Sequence, residues 1–467
     1  MTTQELDKET YRGIIDQYFR AFGTGDFSDV QFSSKIEFLS PISGITMKGR
    51  DEVVTFVRGV STRVVKVSVL SIAVDFPTAS GVWQMTTSKG VLYTLHNFFR
   101  LDGEGLSYIW PMFDPKAVMD DPPGLLQWLT GSGYYEVAFQ TPKQVAGVTV
   151  SNSGRTFVNF PRWVDDAPGV AEVQPDGTLV PYPNAELNAW DLKPGDSARD
   201  HFVCVQSVEA DQDALWILDP ASPNFLGVVP GGPKLVKVNL QTNAVERVYH
   251  FDETIAPPKS YLNDVRLAHG SAFISDSGQG ALVVVDLASG KVRRLLEDHP
   301  STKAEAGVDV VINGRPWKFA DNTTPQINPD GIAIDPKNEY VYYKALTGRT
   351  LYRITISALL DETLSSAALG SHVERVAVTE PTDGLEFDSV GNLYMTALEK
   401  NAITVLRPDG RYEFFARSAD FLWPDTITLT PGGDLLFSAS QFQLMPNFNG
   451  GVDQRTPPYK VFRLKLK

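Results

Sequence analysis

Six polar side chains recur where apolar runs begin: Asn263, Asp264, Asn328, Asp330, Asp383 and Asp425. Pro329-Asp-Gly-Ile-Ala-Ile-Asp335 and Thr382-Asp-Gly-Leu-Glu-Phe-Asp388 repeat one pattern, and Pro424-Asp-Thr-Ile-Thr-Leu429 varies it. Carboxylates and amides that converge on one concave surface can do three things. They can hold a hard cation such as Ca²⁺ through oxygen, hydrogen-bond to a substrate carbonyl and polarise it, or accept backbone N–H groups in turns, which is architecture only. Phe160, Trp163, Trp317, Phe421 and Trp423 fall in segments expected to loop around the same end. Apolar walls with a few polar groups suit an apolar small molecule. The six polar residues are therefore the catalytic candidates and the five aromatics the substrate-binding candidates.

Other chemistries find no support in the chain. There is no dinucleotide fingerprint, no phosphate-binding loop and no Gly-x-Ser-x-Gly elbow. Six His and a single Cys, Cys204, leave no transition-metal cluster and no intramolecular disulfide. The formal charge is −14 with no Lys/Arg block, so neither nucleic acid nor an anionic membrane is an expected partner. The opening Met-Thr-Thr-Gln-Glu-Leu-Asp-Lys is polar and acidic, unlike a secretory signal. A cytoplasmic location is expected.

The six residues need a scaffold that brings separate segments to one place. From Tyr134 onward, short strand-like runs alternate with Asp-Gly and Ser-Gly turns, the pattern of a sandwich, barrel or propeller. A loose repeat decides among these. Units open at Asn263-Asp264, Pro329-Asp330, Thr382-Asp383 and Pro424-Asp425, and two looser ones lie at Ala146–Asn159 and Val203–Asn239. Six units predict six blades, with residues 297–326 as an insertion. In a propeller the first residues of the inner strands ring one mouth of the central channel.

The first quarter reads differently. Tyr11, Ile14, Ile15, Tyr18, Phe19 and Phe22 share one stripe of a 3.6-residue period, which predicts a helix over 4–22. Thr2 and Glu5 fit a capping box, and Gly23 and Gly25 end the helix. A shorter helix is expected after Gly49. Strands are expected at Val64–Asp75, Gly81–Thr87, Val91–Leu101 and Leu106–Phe113. Helices followed by a strand meander make an α+β domain. Residues 116–133, rich in Pro and Gly, read as a linker with one helical turn at Leu125–Leu129.

Two resemblances add to this reading. Asn97-Phe-Phe-Arg-Leu-Asp-Gly103, Tyr108-Ile-Trp110 and Phe113-Asp114 resemble the NTF2-like/SnoaL-like superfamily, which implies an α+β cone over 1–115. Catalytic members of that superfamily often carry an inward Asp or His in the cup, and Asn97 stands at the matching position. Strand parity places Tyr93, Asn97 and Phe99 on one face and His96 on the other. Phe157-Val-Asn-Phe-Pro-Arg-Trp163, Leu215-Trp-Ile-Leu-Asp219, Tyr261-Leu-Asn-Asp264, Ala272-Phe-Ile-Ser-Asp-Ser277 and the ending Ser438–Arg463 resemble the Yellow/major royal jelly family. This implies a six-bladed β-propeller over 134–467. The expected fold is mainly β: that propeller preceded by the cone.

The combined architecture is similar to fungal natural-product cyclases of the hetero-Diels–Alder type. That resemblance implies a secondary-metabolism enzyme that cyclises or isomerises an apolar substrate without a cofactor. The alternatives are a Ca²⁺-dependent lactonase like the related gluconolactonase propellers, and a non-catalytic binding protein. Only the lactonase reading calls for Ca²⁺, and the Glu it needs at the first inner strand is replaced by Val145-Ala146-Gly147. Cup domains of this type often dimerise, so a homodimer is expected.

Overall fold

Helix α1 (Lys8–Thr24) owes its existence to one apolar face. Tyr11, Ile14, Ile15, Tyr18, Phe19 and Phe22 are all buried, worth about 1.5–3 kcal/mol each on transfer from water. The helix starts later than its periodicity suggests. Asp7 is the N-cap and accepts the Thr10 N–H at 2.8 Å, satisfying one of the free donors of the first turn. Gly25 closes the helix in the left-handed region at φ 75°, as a C-terminal glycine does. The computed structural model describes residues 7–40, 46–61, 64–87, 92–113, 135–163, 168–190 and 197–466. The capping box expected at Thr2–Glu5 and the linker over 116–133 lie outside them.

Tertiary contacts divide the chain into two units, Met1–Tyr134 with Phe415–Ala419, and Tyr135–Phe414 with Asp420–Lys467. The first unit packs α1 and α2 (Arg50–Ser61) on a six-stranded sheet. Its strands are β1 (Phe32–Leu39), β2 (Thr46–Lys48), β3 (Val64–Asp75), β4 (Thr78–Thr87), β5 (Leu92–Asp102) and β6 (Gly105–Met112), in the order β2-β1-β6-β5-β4-β3. β1 and β2 are absent from the sequence reading. A register shift between Phe32 and Glu37 breaks the alternation of β1, which erases the period-2 signal. Along β5 the parity holds: Tyr93, Leu95, Asn97 and Phe99 are buried and His96 is exposed. Inside, Tyr18, Phe19, Phe22, Trp83 and Phe99 stack edge and face. Asn97 Oδ1 accepts the Trp83 indole N–H at 2.9 Å. Asn97 is thus a neutral, hydrogen-bonded member of a packed core.

The second unit contains six four-stranded sheets. Their innermost strands are Val148–Val150, Ser207–Asp211, Leu262–Ala268, Pro329–Ile334, Leu385–Phe387 and Pro424–Leu429. Each touches the next in this order, and the last touches the first. A closed ring of six radial sheets is a six-bladed β-propeller. The sixth sheet borrows its outermost strand from β7 (Tyr135–Thr141), which pairs antiparallel with Tyr459–Leu464. This joins the start of the ring to its end. The second blade also differs from the reading: its inner strand begins at Ser207, and Val203 and Cys204 precede it as loop.

Buried acids tie the strand ends. Asp219 ends the second strand of blade 2, accepts the N–H groups of Val203, Cys204 and Ala221, and pairs with Lys234 at 3.2 Å. Asp276 repeats the device in blade 3. It accepts from Tyr261 N, Gly278 N and Ser260 Oγ, and pairs with Arg294 at 2.6 Å with both side chains nearly sealed from solvent. Removing one member of such a pair leaves a buried charge alone, so Asp276→Ala is expected to cost about 3–5 kcal/mol. Urea unfolding would check it; a loss under 1 kcal/mol would contradict this role.

Candidate functional site

Asn263, Asp330 and Asp425 sit on a local irregularity that three blades share. The inner strands of blades 3, 4 and 6 each carry one extra residue, between Leu262 and Val265, Pro329 and Ile332, and Pro424 and Ile427. These β-bulges leave two consecutive inner-strand residues opposite one partner residue, which re-aims a side chain. The affected residues are Asn263-Asp264, Asp330-Gly331 and Asp425-Thr426. Hydroxyls from second strands satisfy the freed backbone. Ser275 Oγ accepts the Asp264 N–H at 3.2 Å and donates to the Asp330 carbonyl at 2.6 Å. Thr396 Oγ1 accepts both Asp383 N–H and Gly384 N–H at 3.0 Å, and Ser438 Oγ donates to the Ala146 carbonyl.

The glycine after each aspartate has a steric reason. A Cβ on Gly331 would stand 2.1 Å from the Asp383 carbonyl oxygen, and one on Gly384 2.4 Å from that of Asp425. The Asp-Gly pairs therefore mark the closest approach of neighbouring inner strands rather than reverse turns. At blade 1 a Cβ on Gly147 would be 1.9 Å from Asn159 Oδ1, so no side chain fits there.

A cavity of about 620 Å³ opens at this mouth, lined by Asn263, Asp330, Asp383 and Asp425 together with Trp163, Trp317 and Trp423. Asn263 Nδ2 donates to Asp330 Oδ2 at 2.9 Å, and the carboxyl groups of Asp330 and Asp383 are close enough to perturb each other. Trp423 Nε1 donates to Asp383 Oδ2 at 2.7 Å. Neighbouring carboxyl groups resist being charged together, which raises the pKa of at least one of them. Burial raises Asp383 to about 6, while the hydrogen bonds from Asp330 and Trp423 hold it back. Burial and the charge of Asp383 push Asp330 well above the carboxylate range, and Asp425 likewise. Of the two, Asp383 gives up its proton the more readily and Asp330 holds its proton the longer.

Trp423 reaches Asp383 from a strained backbone, with φ 57°, a region that bulky residues avoid at a cost of roughly 1–3 kcal/mol. Ser440 N–H donates to its carbonyl, and Gln441 N–H to that of Leu422. Deeper along the inner strands, Arg266 alone faces three carboxylates: Asp264 at 2.9 Å, Glu209 at 3.8 Å and Glu386 at 3.9 Å. Burial lifts Glu209 to about 8 and Glu386 to about 7, and Arg266 draws both back. The charge of Asp264 in turn helps raise Asp330, Asp383 and Asp425.

Four of the eleven residues singled out in the sequence lie elsewhere. Asp264 turns onto Arg266 and Ser207 Oγ, the latter at 2.7 Å. Asn328 is spent on backbone, donating to the Gly278 carbonyl and accepting the Ala304 N–H. Phe160 sits in the core between blades 1 and 6, and Phe421 packs on Tyr135, Phe437 and Phe462. Both stand in loop segments, where residue type marks an aromatic but not whether it faces the cavity or the blades. Conversely, Gln206, Phe225, Tyr261 and Phe442 line the cavity without having been singled out. Tyr261 OH accepts the Trp163 indole N–H at 2.7 Å and donates to Gln206 Oε1 at 2.8 Å. Its position two residues before Asn263 was the available signal.

Fold and site together define a six-bladed β-propeller with an acidic, aromatic-walled cavity at one mouth. A family model described as major royal jelly protein matches residues 203–426, and a domain of unknown function, DUF4904, matches residues 6–134. The Phe157–Trp163 motif and the closing stretch to Arg463 lie beyond the royal jelly match. No curated protein matches the chain. Among solved structures, a gluconolactonase from Xanthomonas campestris shares 11% identity over 72% of this chain and 91% of its own, with a TM-score of 0.44. A calcium-binding regucalcin from Agrobacterium tumefaciens shares 14% over 70% and 93%, TM-score 0.42. A streptogramin B lyase shares 13% over 86% and 98%, TM-score 0.41. Among the described residues, no helix is long and apolar enough to cross a membrane.

Proposed function

We propose that the propeller mouth is a general acid–base site for the non-redox rearrangement of an apolar, carbonyl-bearing small molecule. The observation that carries this is the Asp330–Asp383 pair, held by Asn263 and Trp423 beneath aromatic walls. Asp330 donates its proton, or a short hydrogen bond, to the substrate oxygen. Asp383 takes a proton from the carbon or oxygen that loses one. The substrate gains one proton and loses one, and the proton taken up by Asp383 passes back to Asp330 before the next cycle, so an isomerisation or ring closure is completed without a cofactor. In a hetero-cycloaddition the hydrogen bond alone would suffice, by withdrawing electron density from the heterodiene, while the walls hold the reacting ends together. We read the first unit as an NTF2-like module without the chemistry, since Asn97 cannot exchange a proton near neutral pH.

The lactonase reading needs a divalent cation. Among the described residues no group of three or more His, Cys, Asp and Glu is arranged to hold one. Asn328 is committed to backbone groups, and Gly147 leaves no space for a carboxylate. The commitments of Asn328 and Gly147 weigh against that donor set, and no step is routed through a metal.

The test is incubation of the purified protein with apolar polycyclic carbonyl compounds, read by product analysis with and without chelator. Turnover is expected to survive chelation and to rise as pH climbs through about 6, where Asp383 ionises. Loss of turnover on chelation, restored by Ca²⁺, would reverse the reading in favour of the hydrolase.

A further inference from the structure

The rim of the mouth carries a backbone anomaly that the acid–base site does not explain. The loop after the second strand of blade 2 places Ala221, Asn224 and Phe225 in the left-handed region, at φ 51°, 55° and 56°. Asn tolerates this conformation, whereas Phe and Ala do so rarely. Asn224 N–H donates to the Arg162 carbonyl at 2.8 Å, and Val228 N–H to that of Pro258 at 3.0 Å, so the strap is pinned on both sides of Phe225. The Phe225 ring lies nearly parallel to the Trp163 indole, 5.6 Å between centroids and 21° between planes. Trp163 is 5% exposed and Phe225 39%. Phe225 therefore covers the indole from the solvent side. Beside it Leu226 lines the cavity while 86% exposed.

Strain at a rim persists only where the surroundings over-determine it. Here stacking on Trp163 and two pinning hydrogen bonds hold an unfavourable backbone in place. A planar ring of the ligand would make the same stack on Trp163 without that backbone cost. We infer that Phe225 determines specificity at this mouth: its ring occupies the face of Trp163 that a flat, uncharged polycyclic ligand takes, and binding displaces it. This rests on the reading of the cavity as an apolar-ligand site. Ligands without a planar ring cannot replace the stack and do not open the rim. The Trp163 face lies in the same cavity as Asp330 and Asp383, so one ligand can stack there and present its oxygen to the acids.

The experiment uses the full chain and 1-aminoanthracene, a neutral planar fluorophore, in stopped-flow binding. In the wild type the association rate is expected to level off with probe concentration, because opening limits it. Phe225→Ala removes the competing ring, so affinity should rise about tenfold and the levelling disappear. Trp163→Leu should lose binding. If Phe225→Ala binds no tighter than wild type while Trp163→Leu loses binding, the displacement inference fails and the cavity reading stands. Retained binding in Trp163→Leu also overturns the inference, because the probe then stacks elsewhere. If neither wild type nor Phe225→Ala binds, the apolar-ligand reading itself falls and takes this inference with it.

Discussion

Asp383→Asn is expected to cut turnover by about 10²–10⁴-fold, the contribution typical of a positioned acid or base, and at pH 8 to raise the melting temperature. The two effects share one cause. Burial lifts the folded-state carboxyl to about 6 from its ordinary 3.8. The folded protein therefore binds this proton more tightly than the unfolded chain does. The difference stabilises the fold below about pH 4 and is lost as pH rises through 6. Above pH 6 the protein carries the cost of a buried charge, on the order of 2–3 kcal/mol. Asparagine keeps an oxygen for the Trp423 indole and removes the charge. Thermal melts at pH 4.5 and pH 8 would show the variant's advantage growing with pH. A variant less stable than wild type at pH 8 would mean that the carboxylate serves structure rather than chemistry.

Gly331→Ala is expected to destabilise the propeller by about 3 kcal/mol or more, because the overlap cannot relax cheaply. The new Cβ would lie 2.1 Å from the Asp383 carbonyl oxygen and 3.0 Å from Leu385 Cγ. One precedes and one opens the neighbouring inner strand, so the ring must widen at the mouth. Gly384→Ala meets Asp425 in the same way, 2.4 Å from its carbonyl oxygen. Gly13→Ala is the control: it lies within α1 with nothing inside 4 Å, and should stabilise by about 0.5–1 kcal/mol. Urea unfolding of the three variants would check the order. A loss below 1 kcal/mol at Gly331 would show that the inner strands are not in the close contact described.

Much of the scaffold is readable without coordinates because its signals are local. The α1 stripe, the β3 boundaries and the inward Asn97 follow from periods of 3.6 and 2 residues, which side-chain direction imposes on any buried face. Four units follow from recurring polar openings ahead of apolar strands, and two looser ones complete the six. The capture of β7 by the last blade has no such signal. Tyr135–Thr141 stands ahead of the first repeat unit, and only ring closure, some 320 residues later in the chain, supplies its partner. Pairings of that separation are set by topology, not by local propensity.

The acids divide along the same line. Their recurrence is a property of the chain, and it led to Asn263, Asp330, Asp383 and Asp425. Which recurring polar group faces the cavity was decided by tertiary structure. A one-residue bulge separates Asn263, which lines the mouth, from Asp264, which turns to Arg266. Asn328, two residues before Asp330, is consumed by backbone groups of the insertion and of the blade 3 loop. Phe160 and Phe421 have the same composition signal as Trp163 and Trp423, and differ only in being sealed by neighbouring blades. Residue type and spacing determined that this chain would gather carboxylates within an apolar ring. Close packing of six inner strands decided which of them face one cavity, because the direction a side chain takes there is set by bulges and by contacts between blades that no local pattern encodes.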